Sequence, residues 1–184
     1  LVFNLIFAAT ATVLEYGRYP NALDSMAKQV LGLVYLPLLF GFLILIRSSD
    51  NGAIWLFFTL AIVFAGDTTA LYTGTFFGRS KLIPSVSPGK TVEGALGGLL
   101  ANAAVGTLLK LWLLPALTWP KVIAFSLAIG AAGQIGDLFE SVIKRTSRIK
   151  DSGAILPGHG GILDRIDALL FAAPVAYLFV VHIF

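Results

Sequence analysis

Four aspartates, Asp67, Asp137, Asp164 and Asp167, lie in or beside long apolar runs. A charge there is costly, so each is a candidate for function rather than for packing. Asp137 is followed by Glu140, Ser141 and Lys144 at i+3, i+4 and i+7, spacing that puts all four on one helical stripe. Asp164 and Asp167, three apart, share a face where the last apolar run begins, directly after His159-Gly160-Gly161. Glycines there let backbone N–H groups approach a ligand, and a helix N-terminus favours anions. With no Cys and only two His, a thiolate site is excluded and a zinc site is disfavoured. Carboxylates alone point to a hard cation with oxygen ligands, Mg²⁺ first. Lys144, Arg145 and Lys150 nearby then suit a polyphosphate. Phosphoryl and nucleotidyl transfers rely on such positioning and charge more than on covalent help from protein.

A second polar cluster runs from Gly78 to Gly94 and carries Lys81, Ser87, Lys90 and Thr91. Its Gly89-Lys90-Thr91 resembles the end of a P-loop, but Pro84 stands where the earlier glycine is required, and no strand is expected before it. Ser87-Pro88 is expected to be the N-cap and first residue of the following helix. His159-Gly160-Gly161 is also similar to the oxyanion loop of esterases, yet no G-x-S-x-G supplies a nucleophile.

The elements that must position these groups follow from composition. Of 184 residues, 57% are hydrophobic and 12% charged, against about 25% charged in soluble domains. Such a chain cannot clothe a soluble globule, and the surplus of three positive charges reads as membrane topology rather than as a nucleic-acid footprint. Apolar stretches of bilayer length are expected over 29–46, 53–77, 92–117, 122–143 and 162–184, with a shorter one over 1–14. The expected fold is therefore all-α: a polytopic integral membrane bundle of about six spans forming one domain. The opening run lacks a Met and is short, so an N-terminally truncated chain is expected. Ten of the 13 basic residues fall on one side if the loops alternate, which puts loops 78–91 and 144–165 in the cytoplasm.

At these residues the sequence resembles the phosphatidate cytidylyltransferases, or CDP-diacylglycerol synthases. From Ser141 to Asp167 it meets each fixed position of that family's signature, including Lys144-Arg145, Lys150-Asp151, His159-Gly160-Gly161, Asp164-Arg165 and Asp167. Ser87-Pro88-Gly89-Lys90-Thr91-Val92-Glu93-Gly94 is similar to the family's S-P-x-K-T-x-E-G run. Asp67-Thr68-Thr69-Ala70 resembles its D-[ST]-G-A-Y segment, with Thr69 in place of Gly and Leu71 in place of the aromatic residue.

The resemblance implies transfer of CMP from CTP to phosphatidic acid by a homodimer in the bacterial inner membrane, its site facing the cytoplasm. It implies Mg²⁺ with a monovalent cation such as K⁺. Carried over by position, Asp137 and Asp164 become metal ligands, with Asp67 and Asp167 as further candidates. Lys144, Arg145, Lys150, Asp151 and His159 become candidate catalytic residues. Lys81, Ser87, Lys90, Thr91, Ser141, Gly160, Gly161 and Arg165 become candidate substrate contacts. A transporter would predict paired broken helices in two similar halves, and none is visible. Another CTP-dependent lipid-headgroup enzyme, such as a polyprenol kinase, would share the metal-and-phosphate logic.

Overall fold

A computed structural model of the chain describes residues 2–16, 21–149, 152–153 and 161–184. Its helices are α1 (Val2–Glu15), α2 (Ala22–Leu33), α3 (Leu39–Ser48), α4 (Gly52–Phe77), α5 (Val92–Leu113), α6 (Trp119–Thr146) and α7 (Leu163–His182). A π-helical segment, Val34–Leu38, joins α2 to α3, so that Ala22–Ser48 is one rod of 27 residues. With α4, α5, α6 and α7 it makes five helices long and apolar enough to cross a membrane, and α1 is shorter. The all-α polytopic expectation holds, although the first long rod begins at Ala22 rather than at 29.

The π-helical turn contains Pro37, which has no N–H to contribute to a regular ladder. At this turn Tyr35 is buried, 4% exposed, and sits edge-on to Phe139 of α6 at 5.4 Å and Phe171 of α7 at 6.1 Å.

Lipid is as apolar as a leucine side chain, so these helices cannot associate by excluding water and must fit closely instead. The fit is made by a stripe on α5 with a spacing of four: Gly94, Gly98, Asn102, Gly106 and Lys110 are all buried. A Cβ on Gly98 would stand 2.9 Å from the Gly66 carbonyl oxygen of α4, and one on Gly94 2.7 Å from that of Ala70. Asn102 is wedged between α4 and α6, since a Cβ on either Gly66 or Gly130 would overlap its amide. One end of the bundle is sealed by aromatic rings: Trp55 stacks on Phe184 at 4.8 Å and Phe58 on Phe125 at 5.7 Å. Asp67, Asp137, Asp164 and Asp167 lie toward the other end.

There the chain departs from expectation. Between α4 and α5 it forms an antiparallel hairpin of β1 (Lys81–Ile83) and β2 (Ser87–Thr91), pairing Lys81 with Thr91 and Ile83 with Ser87 and shifting register between them. Ser87-Pro88 therefore lies in a strand and does not begin a helix. The cap is Thr91, whose Oγ1 accepts from the Gly94 N–H at 3.1 Å. Pro88 is tolerated because its fixed φ suits extended chain and a two-strand ribbon leaves edge positions that need no donor.

Candidate active site

Chain reversal brings the C-terminal ends of α4 and α6 and the N-terminal ends of α5 and α7 to one end of the bundle, with the hairpin beside them. A cavity of about 590 Å³ opens there. Of the residues singled out in the sequence, Asp67, Lys81, Ser87, Lys90, Thr91 and Asp137 line it. Lys90 Nζ is 2.5 Å from Asp137 Oδ2, an ion pair joining the hairpin to α6, both side chains partly open to solvent. Asp67, Asp137 and Asp167 lie within range of one another's charge, and Asp67 also feels Lys90. The wall is not polar throughout, because Leu71, Leu82 and Leu138 complete it.

Asp164 is placed differently. Lys144 Nζ lies between two acids, 2.5 Å from Glu140 Oε2 and 2.6 Å from Asp164 Oδ1. The other oxygen of Asp164 accepts from Ser152 N at 2.9 Å, Ser152 Oγ at 2.8 Å and Gly161 N at 2.8 Å. Asp164 thus pins both described ends of the 152–161 segment and the start of α7 to α6. Glu140 is 1% exposed, and its Oε1 has no hydrogen-bond partner among the described residues. Ser141 and Asp167 are buried on the facing helices, and Arg165 sits in the first turn of α7. Arg145 Nε donates to the Val86 carbonyl at 3.2 Å, in the turn of the hairpin. Lys150, Asp151, His159 and Gly160 lie outside the described residues.

Among the described residues no group of three or more acidic or His side chains is close enough to hold a metal unaided. Asp67 and Asp137 nevertheless face one cavity beside two lysines, a donor set of hard oxygens. That fits Mg²⁺, which takes one or two carboxylates and completes its shell with water and substrate phosphates.

Three residues at this end were not singled out by type and spacing. Gln134 lines the cavity and donates Nε2 to the Ala95 carbonyl at 2.8 Å, tying α6 to α5. Glu93 accepts from the backbone N–H groups of Arg79 and Ser80. Tyr35 turns its hydroxyl inward, without a hydrogen-bond partner among the described residues. Glu93 stood in the recognised motif; Gln134 and Tyr35 gave no sequence signal beyond polarity in an apolar run.

The profile described as the cytidylyltransferase family matches residues 1–183. The chain belongs to that family. Among curated proteins it is similar to a phosphatidate cytidylyltransferase of Bacillus subtilis (strain 168), at 36% identity over 96% of the chain and 65% of the relative. It is similar to uncharacterized protein YnbB of Escherichia coli (strain K12), at 43% identity over 72% of the chain and 44% of the relative. A phosphatidate cytidylyltransferase of Staphylococcus saprophyticus is 35% identical over 94% of the chain and 65% of its own length. The chain therefore spans less than two thirds of the length of each of these relatives.

Proposed function

We propose that the protein transfers CMP from CTP to phosphatidic acid, forming CDP-diacylglycerol and pyrophosphate. The reading is supported above all by a cavity at one end of a membrane bundle in which Lys81 and Lys90 face Asp67 and Asp137. The family membership and the names of the relatives from Bacillus and Staphylococcus agree with it.

In this reaction a phosphate oxygen of phosphatidate attacks the α-phosphorus of CTP in line, and the bond to pyrophosphate breaks. The attacking oxygen is already anionic, so no base or nucleophilic side chain is required. That agrees with the ammonium and carboxylate groups that line the cavity among the described residues. Lys81 and Lys90 bind and orient phosphates as point charges. Asp67 and Asp137 are the residues to hold Mg²⁺. When bound, that ion supplies neutralisation of the triphosphate and of the departing pyrophosphate. Leu71, Leu82 and Leu138 give the glycerol end of the lipid an apolar wall while its tails stay in the bilayer.

Lys144, fixed between Glu140 and Asp164, holds α6 and α7 in register and keeps the start of α7 beside the site. The same reading places the cavity on the cytoplasmic face of a bacterial inner membrane, in a homodimer that also uses K⁺. The test is to incubate membranes containing the protein with phosphatidate, Mg²⁺ and CTP labelled at the α-phosphate. Label should enter chloroform-soluble lipid with an equal release of pyrophosphate. Label left wholly in the aqueous phase, from inserted and folded protein, would reject the assignment.

A further inference from the structure

The cationic wall of the cavity is a two-stranded hairpin, a unit barely stable by itself in water. Besides the Lys90–Asp137 ion pair, two side chains that do not line the cavity, Glu93 and Arg145, hold it among the described residues. At its root, Glu93 in the first turn of α5 reaches back past the helix start. Its Oε2 accepts from Arg79 N at 3.1 Å, and its Oε1 accepts from Ser80 N at 3.1 Å. The Ser80 carbonyl in turn accepts from Val92 N at 2.9 Å. The peptide groups flanking Ser80, the residue before Lys81, are thus fixed from both sides. Lys81 pairs with Thr91, whose neighbour is Lys90, so fixing the root places both lysines. At the turn, Arg145 from the end of α6 donates to the Val86 carbonyl at 3.2 Å. A glutamate that only complemented the helix dipole would have no reason to meet two N–H groups from the preceding segment.

We propose that Glu93 and Arg145 are positioning residues, clamping the hairpin at root and turn so that Lys81 and Lys90 face a substrate phosphate that neither clamp touches. The phosphate belongs either to the nucleotide or to the lipid headgroup. Only its identity rests on the function proposed above.

The experiment uses the full-length protein in lipid bilayers, as wild type, Glu93→Ala and Arg145→Ala. Without substrate, amide hydrogen exchange over residues 79–91 should quicken at least tenfold in either variant, while α6 and α7 exchange as before. Unchanged exchange over 79–91 overturns the proposal. With substrates, KM for one of CTP or phosphatidate should rise about tenfold with kcat within threefold of wild type, and the affected KM names the phosphate. Either defect should be non-additive with Lys90→Ala, because all three changes act through the same contact. A collapse of kcat at unchanged KM, or full additivity, overturns the proposal and makes the residue a direct contact. Should Glu93→Ala fail to insert, Glu93→Gln keeps one accepting oxygen and should show an intermediate exchange rate. If the wild type makes no CDP-diacylglycerol, the reading of function falls while the exchange measurement still decides the clamp.

Discussion

Lys90 and Asp137 meet at 2.5 Å across the cavity, joining an ammonium on the hairpin to a carboxylate on α6. They are 47 positions apart in sequence and belong to segments with no regular structure in common. The pair makes one polar face out of a strand of the hairpin and a membrane helix.

Asp137→Asn keeps the size of the side chain and removes its charge. Turnover is expected to fall by about two to three orders of magnitude, since metal-borne charge stabilisation is worth several kcal/mol. Helical content by circular dichroism should be unchanged. Activity within a factor of three of wild type would take Asp137 out of the cation site.

Asp164→Ala should act on structure as well as on rate. Among the described residues it removes four accepted hydrogen bonds and leaves Lys144 paired with Glu140. Breaking a mostly buried pair from one side costs about 3 kcal/mol, so thermal unfolding in detergent should begin several degrees lower. An unaltered midpoint would show that Asp164 is not the pin of the α6–α7 junction.

Withdrawing divalent cations with a chelator should stop label transfer from CTP to lipid, and added Mg²⁺ should restore it. The helices are held by packing, so far-ultraviolet circular dichroism should persist throughout. Full activity in excess chelator would exclude Asp67 and Asp137 as ligands of an essential divalent ion.

Two glycine substitutions are expected to differ in sign. Gly98→Leu forces side-chain atoms against the α4 backbone, and overpacking of this kind costs roughly 1–3 kcal/mol. Gly41→Ala in α3 meets nothing within 4 Å, so helix propensity should leave stability equal or up to about 1 kcal/mol higher. Equal destabilisation by both would refute the close α4–α5 contact.

The spans were legible because bilayer length and apolarity are properties of single segments. Asp67 and Asp137 were legible because charge inside such a segment is conspicuous. The hairpin was not, since Lys81–Ile83 and Ser87–Thr91 are too short to show a strand period, the second contains Pro88 and Gly89, and their pairing follows from where α4 ends and α5 begins. The same uncertainty moved the helix start from Ser87 to Thr91, as both offer a hydroxyl and only the chain's path selects one. Asp164 was carried over from the resemblance as a metal ligand; what the sequence did not show is that, among the described residues, it accepts from Lys144, Ser152 and Gly161, partners set by how α6 meets the start of α7. Tyr35 reads as one aromatic among many in an apolar run; a π-helical turn at Pro37 lies beside it as it packs between α6 and α7.

The glycine stripe on α5 also governs traffic. Where Gly94 and Gly98 bring their backbone against Ala70 and Gly66, the α4–α5 seam has no slot wide enough for a hydrocarbon tail. Leu71, one residue from that seam, lines the cavity and is 67% exposed. On the transfer proposed above, a lipid whose headgroup sits in the charged chamber would therefore keep its tails outside this stretch of α4 and α5 rather than between them.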